Sequence, residues 1–108
     1  MSLTDKMKQV RHLVKTKGFK YSWNDFPYKL LYGMIEFAEA ADTWKKGGSP
    51  DDIAEELIDV IFYVLDAYHI LMDKYDVPDP ETMFQMKLQK NMKRGKLYGK
   101  GEWSKELG

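Results

Sequence analysis

Two carboxylate pairs of the same spacing, Glu36-x-x-Glu39 and Glu56-x-x-Asp59, constrain this chain more than any other feature. Sixteen residues separate the pairs, and each lies within an apolar helical pattern. Residues three apart on a helix are surface neighbours, with Cβ atoms about 5–6 Å apart. Four acids directed at one place repel one another unless positive charge lies between them. A hard divalent cation bound through oxygen is the natural occupant, so the fold is expected to bring two acid-bearing helices together around a metal.

The apolar spacing predicts four helices and a tail. The first covers about Thr4 to Thr16, with Met7, Val10 and Val14 near helical spacing. Gly18 then breaks the pattern, and Phe19, Tyr21 and Trp23 occupy the connecting segment. Asn24 or Asp25 can cap a second helix, with Pro27 tolerated in its first turn. That helix presents Leu30, Leu31, Met34, Phe37, Ala38, Ala41 and Trp44 and stops at Gly47-Gly48. Ser49-Pro50-Asp51-Asp52 is a helix start, with Ser as cap and Pro in the first position. The third helix runs to about Tyr75, with Leu57, Ile61, Val64, Tyr68 and Leu71 at spacings of three and four. Asp79-Pro80-Glu81 starts a fourth that reaches about Arg94 and carries Met83, Phe84, Met86 and Leu88. No strand pattern or internal repeat stands out. The expectation is an all-α four-helix bundle forming one domain over residues 1–94, with an irregular C-terminal tail at 95–108.

Composition narrows the function classes. At 108 residues and 44% hydrophobic, the chain fits one small domain, and association with further copies is a natural source of stability. It contains no cysteine, which excludes disulfides and thiolate metal sites. Its longest apolar stretch, around Val60 to Leu65, falls far short of the roughly 20 residues of a membrane span. The N-terminus lacks the apolar core of a signal peptide, so no membrane is expected and a cytoplasmic location is. Formal net charge is zero, but residues 1–33 carry +5, residues 34–82 carry −10 and residues 83–108 carry +5. An acidic centre between basic ends suits a metal site fed by a polyanion, although solvated helix faces produce the same blocks. The basic segments carry no nucleic-acid-binding motif, so no nucleic acid is expected as partner.

An all-oxygen donor set favours Mg²⁺, with Mn²⁺ the alternative. A di-iron bundle needs Glu-x-x-His, and neither His12 nor His69 lies three residues after a glutamate. His69, between Tyr68 and Ile70, reads as a packing residue. Asp66, seven residues after Asp59, either extends the acidic patch as an outer group or is a surface residue. Lys87, Asn91 and Arg94 share one face of the fourth helix at i, i+4 and i+7.

Three stretches together resemble the MazG-like, all-α nucleoside triphosphate pyrophosphohydrolases. Leu30 to Trp44 (LLYGMIEFAEAADTW) looks like that family's first metal helix, and Glu55 to Val60 (EELIDV) like its second. Lys87, Asn91 and Arg94 fit its Lys-x-x-x-Asn-x-x-Arg element. The family usually opens its first motif with two adjacent acids, where this chain has Ile35 before Glu36. The resemblance implies Mg²⁺-dependent cleavage of a nucleoside triphosphate between its α- and β-phosphates, giving monophosphate and pyrophosphate. Glu36, Glu39, Glu56 and Asp59 would be the catalytic metal ligands, and Lys87, Asn91 and Arg94 would contact the phosphates. A homodimer or homotetramer is also implied. The stripe from Leu57 to Leu71 is the expected contact between copies, unless a single subunit buries it.

Aromatic candidates for a base are Tyr21, Trp23, Tyr28 and Tyr32, with Tyr98 and Trp103 in the tail, and Trp23 and Trp103 are preferred for their loop positions. Lys96 or Lys100 could reach phosphate if the tail ordered over a nucleotide. Two other readings compete: a non-catalytic helical interaction module, and a phosphoribosyl-ATP pyrophosphohydrolase.

Overall fold

Side-chain caps and glycine stops divide the chain into its elements. In the computed structural model, which describes residues 1–94, these are α1 (Leu3–Thr16), a 3₁₀ turn (Trp23–Asp25), α2 (Phe26–Lys45), α3 (Pro50–Lys74) and α4 (Pro80–Lys93). Among the described residues there is no strand, and the protein is all-α. The residues expected to form the tail, with Lys96, Tyr98, Lys100 and Trp103, lie outside the described ones.

Each helix start has a chemical cause. Ser2 and Asp5 form a reciprocal capping box at α1, and the Ser49 hydroxyl accepts from the Asp52 amide at α3. The Asp79 carboxylate accepts from the Thr82 amide at α4. Asp25 behaves differently from the expected helix cap. Its carboxylate accepts from the Ser22 amide and hydroxyl at 2.8 and 2.7 Å, closing the 3₁₀ turn that feeds α2. Those hydrogen bonds hold its carboxyl below the ordinary range.

Two helices end in the same device. After α2, the Gly48 amide donates to the Thr43 carbonyl and the Gly47 amide to the Trp44 carbonyl, with Gly47 at φ +80°. This left-handed turn suits glycine and reverses the chain within a few residues, so α2 and α3 form a hairpin. Gly18 closes α1 in the same way at φ +74°, with Phe19 donating back to the Val14 carbonyl.

Residues 1–77 form one compact unit, and the second unit begins at Pro78 and contains α4. Within the first, α2 packs along α3 while α1 packs on α3. Met7, Val10 and Val14 of α1 and Leu65 of α3 are buried together, with Tyr21, Tyr68 and Met72 against them. Arg11 spans this contact: it pairs with Asp73 at 2.6 Å and lies 4.4 Å over the Tyr21 ring. Along α2–α3 the approach is close at Gly33, where an added Cβ would lie 3.4 Å from Tyr63 Cβ.

The bulky stripes face away from that contact. Lys29, Gly33 and Ala40 are buried on α2, while Met34 and Phe37 are 69% and 60% exposed. On α3, Leu65, Asp66, Ala67 and Ile70 are buried, while Leu57 and Val64 are 43% and 53% exposed. The α2–α3 contact therefore closes on small and polar residues, and much of the large apolar surface of these two helices is left uncovered.

His69 is half-buried in α3 with Nδ1 out of reach of any donor or acceptor among the described residues. Burial, with the Arg11 charge second, holds its pKa below 6.5. A depressed histidine favours folding above its unfolded-state value, and that contribution is lost as pH falls toward the folded one. Thermal melts should therefore lose stability as pH drops below about 6.5, and His69→Leu should flatten that part of the profile. A profile unchanged by the substitution would remove His69 as its cause.

Candidate functional site

The four carboxylates come from the facing sides of the α2–α3 hairpin. Glu36 is one turn beyond Gly33 on α2, and Glu56 and Asp59 lie on α3 before Tyr63. Loss of water contact raises the Glu36 pKa most. The neighbouring Glu39 side chain acts the same way, as do the negative charges of Asp59 and Glu56. The structure thus brings all four predicted ligands into one electrostatic neighbourhood.

Glu56 Oε2 is buried and has no hydrogen-bond partner among the described residues. A buried carboxylate oxygen without a donor is costly, and a cation would satisfy it. The acids are neighbours without converging: among the described residues, no three His, Cys, Asp or Glu side chains are grouped as ligands of one ion. Glutamate side chains can change rotamer to close on a cation, and the all-oxygen donor set fits Mg²⁺ or Mn²⁺.

Glu36 and Asp59 also line a cleft of about 580 Å³. Its aromatic wall includes Phe19, Tyr28, Tyr32, Phe62 and Tyr63. Val10, Leu13 and Val14 of α1 line it too, and its charged lining includes Lys20, Lys29, Asp25 and Asp66. Tyr32 and Tyr63 meet at 5.8 Å between ring centroids. Burial, then the charges of Glu36 and Asp59, push the Tyr63 hydroxyl pKa up, which keeps it a neutral donor beside the acids.

Not every candidate from the sequence is found here. Tyr28 and Tyr32 line the cleft, whereas Trp23 stacks on Phe26 at 4.8 Å and meets Tyr75 edge-on at 5.4 Å. Tyr21 is engaged by Arg11 and Lys15. Lys87, Asn91 and Arg94 belong to the second unit, on α4 and at its C-terminal cap, and Asn91 Oδ1 is buried without a hydrogen-bond partner among the described residues.

Asp66 is not a surface residue: it is 4% exposed and pairs with Lys29, 8% exposed, at 2.9 Å. Lys29 carried no motif, but its position seven residues before Glu36 on the same helix face was a usable signal. Phe62 and Tyr63 were hidden inside an apolar run. Among the described residues, no helix is long and apolar enough to cross a membrane. The chain matches no known family model, no curated protein and no solved structure.

If repulsion dominates the cluster, Glu36→Gln should raise the melting temperature of the metal-free protein by a few degrees, more at low salt than at high. An unchanged or lowered melting temperature at low salt would mean that the four charges do not strain the fold.

Proposed function

We propose that this chain is a divalent-metal-dependent nucleoside triphosphate pyrophosphohydrolase with a helical bundle of the MazG-like type. The observation that carries the reading is the Glu36, Glu39, Glu56 and Asp59 cluster, with its raised Glu36 pKa and its buried, partnerless Glu56 oxygen. The adjoining aromatic cleft supports a nucleotide as the ligand, since apolar and charged side chains line it together.

In this reading Glu36, Glu39, Glu56 and Asp59 hold Mg²⁺. When bound, the cation neutralises phosphate oxygens and the charge that develops on them. One of the glutamates orients the attacking water and takes its proton. The water oxygen bonds to one phosphorus of the α–β anhydride, and the bridging oxygen leaves with the other. The products are nucleoside monophosphate and pyrophosphate. Lys87 and Arg94 are assigned to phosphate contact, with Asn91 donating a hydrogen bond to phosphate or sugar. Ile35 occupies the position of the family's usual first acid, so the proton-accepting role falls on the four acids that remain.

The test is ³¹P NMR of the protein with Mg²⁺ and a panel of ribo- and deoxyribonucleoside triphosphates. Monophosphate plus pyrophosphate is expected, with Glu56→Ala and Asp59→Ala each losing more than about a hundredfold in rate while remaining helical. Diphosphate plus orthophosphate, or full turnover in both variants, would overturn the assignment. Turnover of phosphoribosyl-ATP alone would move the substrate. No turnover and no thermal stabilisation by Mg²⁺ would favour an interaction module.

We further propose a homodimer or homotetramer closed through the exposed stripes of α2 and α3, where Leu57, Val64, Met34 and Phe37 lie in the open. Light scattering should give a multiple of the 12.7 kDa chain mass, and Leu57→Asp with Val64→Asp should shift it to the monomer. A monomer in the unmodified protein would refute this contact.

A further inference from the structure

We propose that the Lys29–Asp66 ion pair reads the hydrogen-bonding edge of a nucleobase seated in the aromatic cleft. The inference takes its ligand class from the nucleotide reading above and is independent of catalysis.

The pair is built into the interior. Its side chains are 10% and 5% exposed, and Lys29 Nζ lies 2.9 Å from Asp66 Oδ2. Burying two charges costs about as much as their attraction returns, so such a pair adds little stability over apolar residues of similar size. This one is also incomplete. Asp66 Oδ1 is buried with no hydrogen-bond partner among the described residues, and an unsatisfied carboxylate oxygen in a low-dielectric site is costly. Both residues line the cleft, which therefore holds an ammonium donor beside a carboxylate acceptor in need of a proton donor.

A nucleobase has the complementary edge. A ring or exocyclic N–H donates to Asp66 Oδ1, and the adjacent carbonyl or ring nitrogen accepts from Lys29 Nζ. Its two faces can stack on aromatic groups, which Tyr28, Tyr32, Phe62 and Tyr63 supply. The helical register fixes the distance to the carboxylates. Lys29 precedes Glu36 by seven residues on α2, and Asp66 follows Asp59 by seven on α3. Seven residues rise about 10 Å along a helix, close to the span from a base edge to its own 5′ phosphate. A base on the ion pair thus leaves its phosphates beside Glu36 and Asp59.

The experiment is an NMR titration of the metal-free protein with uridine, cytidine, adenosine and guanosine. Each is compared with a partner in which every base N–H is replaced by N-methyl, the exocyclic amines being dimethylated. Nucleosides lack phosphate, so the acidic cluster does not oppose their binding. At least one should bind and shift the Lys29 and Asp66 resonances, and its methylated partner should bind at least tenfold more weakly. Asp66→Asn, which replaces a pure acceptor with a group that also donates, should change the order of preference among the four. Should that variant fail to fold, the methylated series on the unmodified chain still decides. No binding by any nucleoside, or equal binding of methylated and unmethylated partners, would overturn the proposal. Selective binding without triphosphate turnover would uphold this site and sink the enzyme, whereas turnover without selectivity would do the reverse.

Discussion

Like-charge repulsion between Glu36, Glu39, Glu56 and Asp59 is the constraint around which the α2–α3 hairpin is organised. The hairpin packs small residues closely, with Gly33 against Tyr63, and sets a cluster of acids one turn farther along. That arrangement works against folding unless packing elsewhere compensates. The compensation is visible where α1 packs on α3: Met7, Val10, Val14 and Leu65 form the buried apolar cluster and Arg11 bridges to Asp73. A fold that tolerates unfavourable electrostatics at one place commonly does so where a ligand will supply the missing charge.

The cleft and the acids are two parts of one design on the same pair of helices. Position 29 on α2 and position 66 on α3 carry a buried ion pair, and two turns away positions 36 and 59 carry acids. Polar residues thus occupy the faces that a simple bundle would fill with leucine and valine. The large apolar residues are displaced to the outside, where Met34, Phe37, Leu57 and Val64 stand exposed. Such a distribution suits a chain whose interior serves a ligand and whose apolar surface serves association.

Much of the fold could be read from the sequence because its punctuation is local. Ser49-Pro50, Asp79-Pro80 and Gly47-Gly48 start or stop helices through hydrogen bonds within a few residues, and the helix limits follow them closely. The cluster of four acids was legible for the same reason, as spacing on a helix fixes which side chains are neighbours. What the sequence hid was the direction each helix faces. Periodicity marks an apolar stripe without saying whether it meets the same chain or another, and here it left the closest α2–α3 contacts to Lys29, Gly33, Tyr63 and Asp66. Trp23 illustrates a second limit: a loop aromatic with no periodicity turned out to stack on Phe26 and to meet Tyr75 edge-on. Lys29 had no partner in any local window, since Asp66 lies on the next helix.

The tight glycine turn after α2 also bears on how the molecule comes to exist. Only the short link Lys46–Ser49 joins the two helices that carry every one of the four acids, so their encounter requires little search through chain conformations. Local topologies of this kind close rapidly, on scales from microseconds to milliseconds. The obstacle left in the path of this hairpin is charge, which makes the ionic composition of the medium a determinant of the rate at which it forms as well as of the state it reaches.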